Sequence, residues 1–144
     1  MKKLFKQRKK SRKLLLQCLY NWEISKNDIS NIKNYTLKNN NTKKIDINYF
    51  NILLTNIPIK IDIIDKFIKN NTEIIKNSII SLNTIELSIL RISTYELLYC
   101  ENIPHKVIIS EALILANLFS SKSSSARINK ILDTISKIII TKNN

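Results

Sequence analysis

Residues 82–99, LNTIELSILRISTYELLY, constrain the fold of this chain more than any other stretch. At about 100° per residue, Leu82, Ile85, Ile89, Ile92 and Tyr99 form one apolar stripe, and Leu87, Leu90, Leu97 and Leu98 form a second on nearly the opposite side. A helix apolar on two sides is covered on both, so this segment is expected at the centre of a helical assembly. Its start is marked by Asn83 or Thr84 as a cap and by Glu86, whose carboxylate suits the first turn. Glu96 falls within the first stripe, where a carboxylate requires a hydrogen-bonded or charged partner.

The chain has 144 residues, 44% of them hydrophobic, which predicts one domain over residues 1–144. Lys and Arg total 24 against 11 Asp and Glu, a net charge of +13. Such an excess suggests a polyanionic partner, although a chain rich in Lys, Asn and Ile and devoid of Gly also carries compositional drift. The location of the charge is therefore more informative than its sum. Cys18 and Cys100 lie in helical patterns with no secretory signal, which predicts reduced thiols. With only His105 to join them, no zinc site is expected, and no cofactor. No apolar run approaches a membrane span. The sequence thus reads as cytoplasmic, with no membrane partner.

Residues 1–13 hold eight basic residues. Residues 1–7 read as a flexible basic arm, and a helix is legible from Arg8. Leu14, Leu15, Cys18, Leu19 and Trp22 share its core face, whereas Lys9, Lys13, Leu16 and Tyr20 share another. Cations beside an exposed ring suit single-stranded RNA, the cations meeting phosphates and the ring a base. The same spacing fits a packed Tyr20 with lysine stems over it, and periodicity leaves both open. Asp28 is expected to cap a second helix ending at residues 39–41, where Asn would supply the left-handed conformation that Gly normally provides. Asp46 reads as the next cap, before a long apolar run from Phe50 to Ile68 that Pro58 should kink. Residues 70–77 read as a polar connection with room for an extra turn.

Pro104 suits the start of a further helix, in which Glu111 sits among Val107, Ile108, Leu115 and Leu118. Glu96 and Glu111 are expected to bind backbone N–H groups or a cation such as Arg91. Paired carboxylates also serve acid–base catalysis, but no phosphate loop, nucleophile motif or second His accompanies them, so no catalytic residue is assigned. His105 reads as an exposed helix-start residue. Residues 120–125, SSKSSS, read as a flexible connection to a last amphipathic helix, with residues 141–144 frayed. The expected fold is all-α, a single compact bundle of about seven helices.

Five blocks in order, RKKSRKLLLQCLYNWEIS, NDI, IDINYFNILL, ELSILRISTYELL and IPHKVIISEALILA, resemble the NusB family of bacterial transcription antitermination factors. The resemblance runs from Arg8 to Asp133. It implies a NusB-like helical bundle without catalytic activity that binds boxA RNA of ribosomal RNA leader transcripts. It also implies a heterodimer with NusE, a small-subunit ribosomal protein, within a complex of RNA polymerase and other Nus factors. Self-association of the free protein as a homodimer stays open. Carried over by position, Arg8, Lys9, Lys10, Arg12 and Tyr20 would face RNA, with Lys13 on the same helix face, and Glu86 would face the ribosomal protein. Glu96 and Glu111 would be structural.

The departure lies before the last helix. The family has Gly, an acidic residue, Ser, His, Lys, Phe, Val, Asn and Gly before Leu-Asp. Here Ser120, Ser123, Ser125, Ala126, Arg127 and Lys130 replace most of these, whereas Ser124, Ile128, Asn129, Leu132 and Asp133 conform. Lys122 and Arg127 either replace lost RNA contacts electrostatically or mark an eroded site. Two rivals remain at this stage. The same fold serves as the N-terminal part of ribosomal RNA cytosine methyltransferases, a reading that calls for a downstream catalytic domain; the other rival is a protein-interaction module.

Overall fold

A computed structural model describes residues 2–72, 74–75, 78–79 and 82–143. Two compact units follow one another, residues 1–59 and 60–144. The first contains α1 (Lys2–Ser25), α2 (Ile29–Lys38), a 3-10 turn (Thr42–Lys44) and α3 (Ile47–Ile59). The second contains α4 (Ile61–Asn70), β1 (Ile74–Ile75), β2 (Ser78–Ile79), α5 (Thr84–Tyr99), α6 (His105–Phe119) and α7 (Lys122–Lys142). The described residues therefore hold seven α-helices, as the all-α reading requires. The segment expected as a polar connection contains β1, which pairs antiparallel with β2 just beyond it, Ile74 opposite Ile79 and Ile75 opposite Ser78. Two-residue strands are too short to give an alternation readable in sequence, and residues 73, 76 and 77 of that segment lie outside the described residues.

In the first unit α1 packs on α2 and α3. Leu15, Cys18 and Leu19 are fully buried, as their stripe predicts, along with Phe50, Leu53, Leu54 and Ile57 of α3. The basic segment before Arg8 is helical and largely exposed, α1 beginning at Lys2. Residues 2–7 have no Gly or Pro to break a helix that the following turns have already nucleated. Asp28 caps α2 by accepting from the Ser30 N–H at 2.7 Å.

The end of α2 follows a different rule from the one expected. Asn39 has φ −99°, and the left-handed non-glycine residue is Lys26, φ 59°, after α1. Asn39 and Asn40 act instead through their side chains, each amide donating at 2.8 Å, to the Tyr35 and Thr36 carbonyls respectively. Asn71 does the same for Phe67 at the end of α4, also at 2.8 Å. Side-chain amides thus satisfy terminal carbonyls that a glycine motif would otherwise cover. Pro58 lies in the last turn of α3, and helical geometry is interrupted at Lys60.

In the second unit α5 is enclosed by α4, α6 and α7. This explains its two stripes: Ile89 of one stripe and Leu90 of the other are both 0% exposed. Glu96 is buried as expected, Glu111 is half-buried, and Tyr99 at the helix end is exposed. The cation expected beside the acids, Arg91, forks onto Asp65 of α4, with its Nε 3.0 Å from Oδ1 and NH2 2.9 Å from Oδ2. His105 is not a freely exposed residue, because its Nδ1 lies 2.6 Å from Ser136 Oγ of α7.

The serine-rich segment is ordered into the start of α7. Ser121 caps it by accepting from the Ser124 N–H at 3.2 Å, Ser120 donates to Ser124 Oγ at 2.7 Å, and Ser125 donates to Asn117 of α6 at 2.6 Å. Serine hydroxyls compete with the backbone inside a helix but suit its first turn, so the composition that reads as a linker here builds a cap. At the other end, helix continues through Lys142, with Thr141 donating to the Lys137 carbonyl. Asn144 lies outside the described residues.

Two measurements test this packing. Ile89→Ala should cost about 2–5 kcal/mol in urea unfolding, and Ile140→Ala, on the exposed side of α7, less than about 0.5 kcal/mol. Burial pushes the Cys18 thiol up, opposed by its hydrogen bond to Thr36 Oγ1 at 3.3 Å. A thiol reagent at neutral pH should therefore label half-buried Cys100 in the folded protein, and Cys18 only after unfolding.

Candidate nucleic-acid interface

A clamp fixes α1 on α3. Asp46, the residue before α3, accepts from the Tyr49 N–H at 3.1 Å as a helix cap. Its backbone N–H donates to Ser11 Oγ at 2.9 Å, and its carboxylate accepts from Arg8 Nε at 3.3 Å. Arg8 and Arg12 both stack on the ring of Tyr49, each guanidinium carbon 5.3 Å from its centroid. Ser11 is fully buried and Arg12 is 4% exposed.

Arg12 is therefore turned away from the open face expected of it, and Arg8, partly exposed, is tied to Asp46 and Tyr49. Their i,i+4 spacing puts both forks on one side of α1, and that side meets Tyr49. No local pattern in residues 8–12 reveals a ring that lies beyond two intervening segments. The remaining candidates on α1, Lys9, Lys10, Lys13 and Tyr20, are exposed. Tyr20 is 42% exposed, while Leu16, grouped with it by periodicity, is buried. The clamp buries Arg12 and ties down Arg8, and it leaves lysines and a tyrosine exposed to solvent.

In the second unit, Asn83 and Glu86 form a reciprocal capping box at the start of α5. The Glu86 N–H donates to Asn83 Oδ1 at 2.8 Å, and the Asn83 N–H donates to Glu86 Oε1 at 3.1 Å. Arg127 NH1 lies 3.0 and 2.8 Å from the two Glu86 carboxylate oxygens. Glu86 is 1% exposed, which corrects the expectation of an accessible acid: the arginine from α7 covers it. Arg127 keeps a partly exposed side chain, and Lys122 is exposed at the first turn of α7. Two residues assigned to different partners by sequence, Glu86 and Arg127, thus belong to one ion pair. Among the described residues no group of three or more His, Cys, Asp or Glu could hold a metal ion, and no helix is long and apolar enough to cross a membrane.

The NusB family model matches residues 9–137. The chain belongs to the NusB family. It is 41% identical over 138 residues to a transcription antitermination protein NusB of Buchnera aphidicola subsp. Cinara cedri, covering 95% of this chain and 93% of that protein. It is 40% identical over 144 residues to the protein of the same name from Buchnera aphidicola subsp. Baizongia pistaciae, covering 100% and 97%. The solved T. maritima NusB structure superposes with a TM-score of 0.78 at 28% identity over 90% of each chain. The NusB fold accordingly carries both the α1 face and the Glu86–Arg127 pair of this chain.

Removing Arg127 leaves the buried Glu86 carboxylate with only its cap. Arg127→Ala should lower stability by about 1.5–3 kcal/mol, the range for hydrogen bonds to charged groups. Urea unfolding of Arg127→Ala against Glu86→Gln/Arg127→Ala checks this, the double variant recovering part of the loss because no unpaired carboxylate remains.

Proposed function

We propose that this chain is a non-catalytic transcription antitermination factor that binds boxA RNA of ribosomal RNA leader transcripts through α1. Its partners would be the ribosomal protein NusE and, through the Nus complex, RNA polymerase. The observation that carries the reading is the solvent-facing set Lys9, Lys10, Lys13 and Tyr20 on a helix held rigid by the Asp46 clamp. Lysine ammonium groups meet phosphates as point charges, and an exposed ring offers a base a stacking surface. Arg8 and Arg12 take a positioning role in this scheme, since they hold α1 against Tyr49.

The similarly named relatives support the antitermination role. For the protein partner, Glu86 would act through Arg127, presenting the partly exposed arginine side chain near the start of α7, where Lys122 is also exposed. Glu86→Gln keeps the shape of the pair, and weakened capture of NusE by this folded variant would place the partner there.

The RNA reading separates charge from stacking. Lys9→Gln and Lys13→Gln should each reduce the slope of log K against log salt by about 0.7. Tyr20→Ala should cost about 1–3 kcal/mol with the slope unchanged. Titrations of labelled boxA RNA at several salt concentrations check both. Wild-type affinity and slope in all three variants would remove α1 from the RNA site.

A further inference from the structure

Beside the α1 face lies a groove of about 310 Å³ lined by Lys10, Lys13, Leu14, Asn40, Asn41, Lys44 and Ile45. Its lysines come from two elements far apart in sequence, α1 and the 3-10 turn after α2. No described carboxylate forms an ion pair with Lys10, Lys13 or Lys44, whereas Arg8 nearby is committed to Asp46. Half-buried Leu14 and buried Ile45 supply an apolar floor.

The amides at its edge are held in fixed orientations by their own backbone contacts. Asn40 donates to the Thr36 carbonyl, which leaves its amide oxygen to accept. Asn41 accepts from the Lys43 N–H at 3.1 Å as the cap of the 3-10 turn, which leaves its amide nitrogen to donate. Three cations, an apolar floor and one amide of each polarity match the parts of a single nucleotide: phosphate, the flat face of ribose or base, and a base edge. An acidic peptide would use the cations but has no need of the amide pair.

We infer that this groove takes one nucleotide of the bound single strand, so that the RNA leaves the α1 face at Lys13 and crosses onto the α2–α3 connection. Lys44 grips its phosphate, and Asn40 and Asn41 meet its base. Lys13 is shared by the face and the groove, which makes the two sites continuous. The inference rests on the RNA-binding reading of α1 and adds a contact to it.

The test uses the full chain and labelled boxA RNA, comparing Lys44→Gln, Lys44→Arg, Lys9→Gln and Tyr20→Ala at several salt concentrations. All three positions are exposed, and unchanged thermal melts of the four variants would verify folding. Lys44→Gln is expected to weaken binding several-fold and to lower the salt slope by about 0.7, with Lys44→Arg restoring both. Weakened binding by Lys9→Gln and Tyr20→Ala with wild-type behaviour of Lys44→Gln would overturn the groove and leave the α1 reading standing. Wild-type binding by every variant would overturn both.

Discussion

The hold of Asp46 on α1 is the interaction on which the proposed site depends. One residue performs three tasks: its carboxylate caps α3, the same carboxylate accepts from the Arg8 guanidinium, and its backbone N–H donates to the buried Ser11 hydroxyl oxygen. Because Ser11 and Arg12 are turned inward by these contacts and by Tyr49, the rotation of α1 about its axis is fixed. Lys9, Lys13 and Tyr20 then face solvent together. A helix with this many lysines and no such anchor would have no reason to present one face rather than another.

The second unit relies on a comparable device at α5. Asn83 and Glu86 satisfy each other's backbone N–H groups, and Arg127 neutralises the carboxylate that burial would otherwise penalise. The pair also joins α5 to α7, so one contact sets both the start of the central helix and the register of the last one. Throughout the molecule, polar side chains perform the terminal work that glycine performs elsewhere. Asparagine amides close α2 and α4, and serine hydroxyls open α7. A chain without glycine can thus end its helices while staying almost entirely in ordinary backbone conformations, with Lys26 as the left-handed exception among the described residues.

What was legible in sequence follows from range. The two-sided stripe of α5, the caps at Asp28 and Asp46, and the inward Leu15, Cys18 and Leu19 depend on neighbours within a turn or two, and periodicity captures them. The burial of Arg12 and Glu86 depends on Tyr49 and Arg127, which approach from other helices. Their charges suggested solvent, whereas their partners put them inside. The serine run misled for a local reason: the same residue type favours flexible connections and helix N-termini, and only the Ser121 to Ser124 contact distinguishes them. Lys44, Asn40 and Asn41 gave no motif at all, since their grouping with Lys10 and Lys13 exists only after α1 packs beside the α2–α3 connection.

Residue-resolved magnetic resonance of isotope-labelled protein titrated with boxA RNA tests the central claim most directly, because it reads the location of binding without altering the chain. The account predicts that amide shifts on RNA addition concentrate on the exposed side of α1 from Lys9 to Tyr20 and at residues 40–45, with the buried α5 amides unmoved. Shifts confined to residues 60–144, with α1 unchanged at saturating RNA, would contradict it.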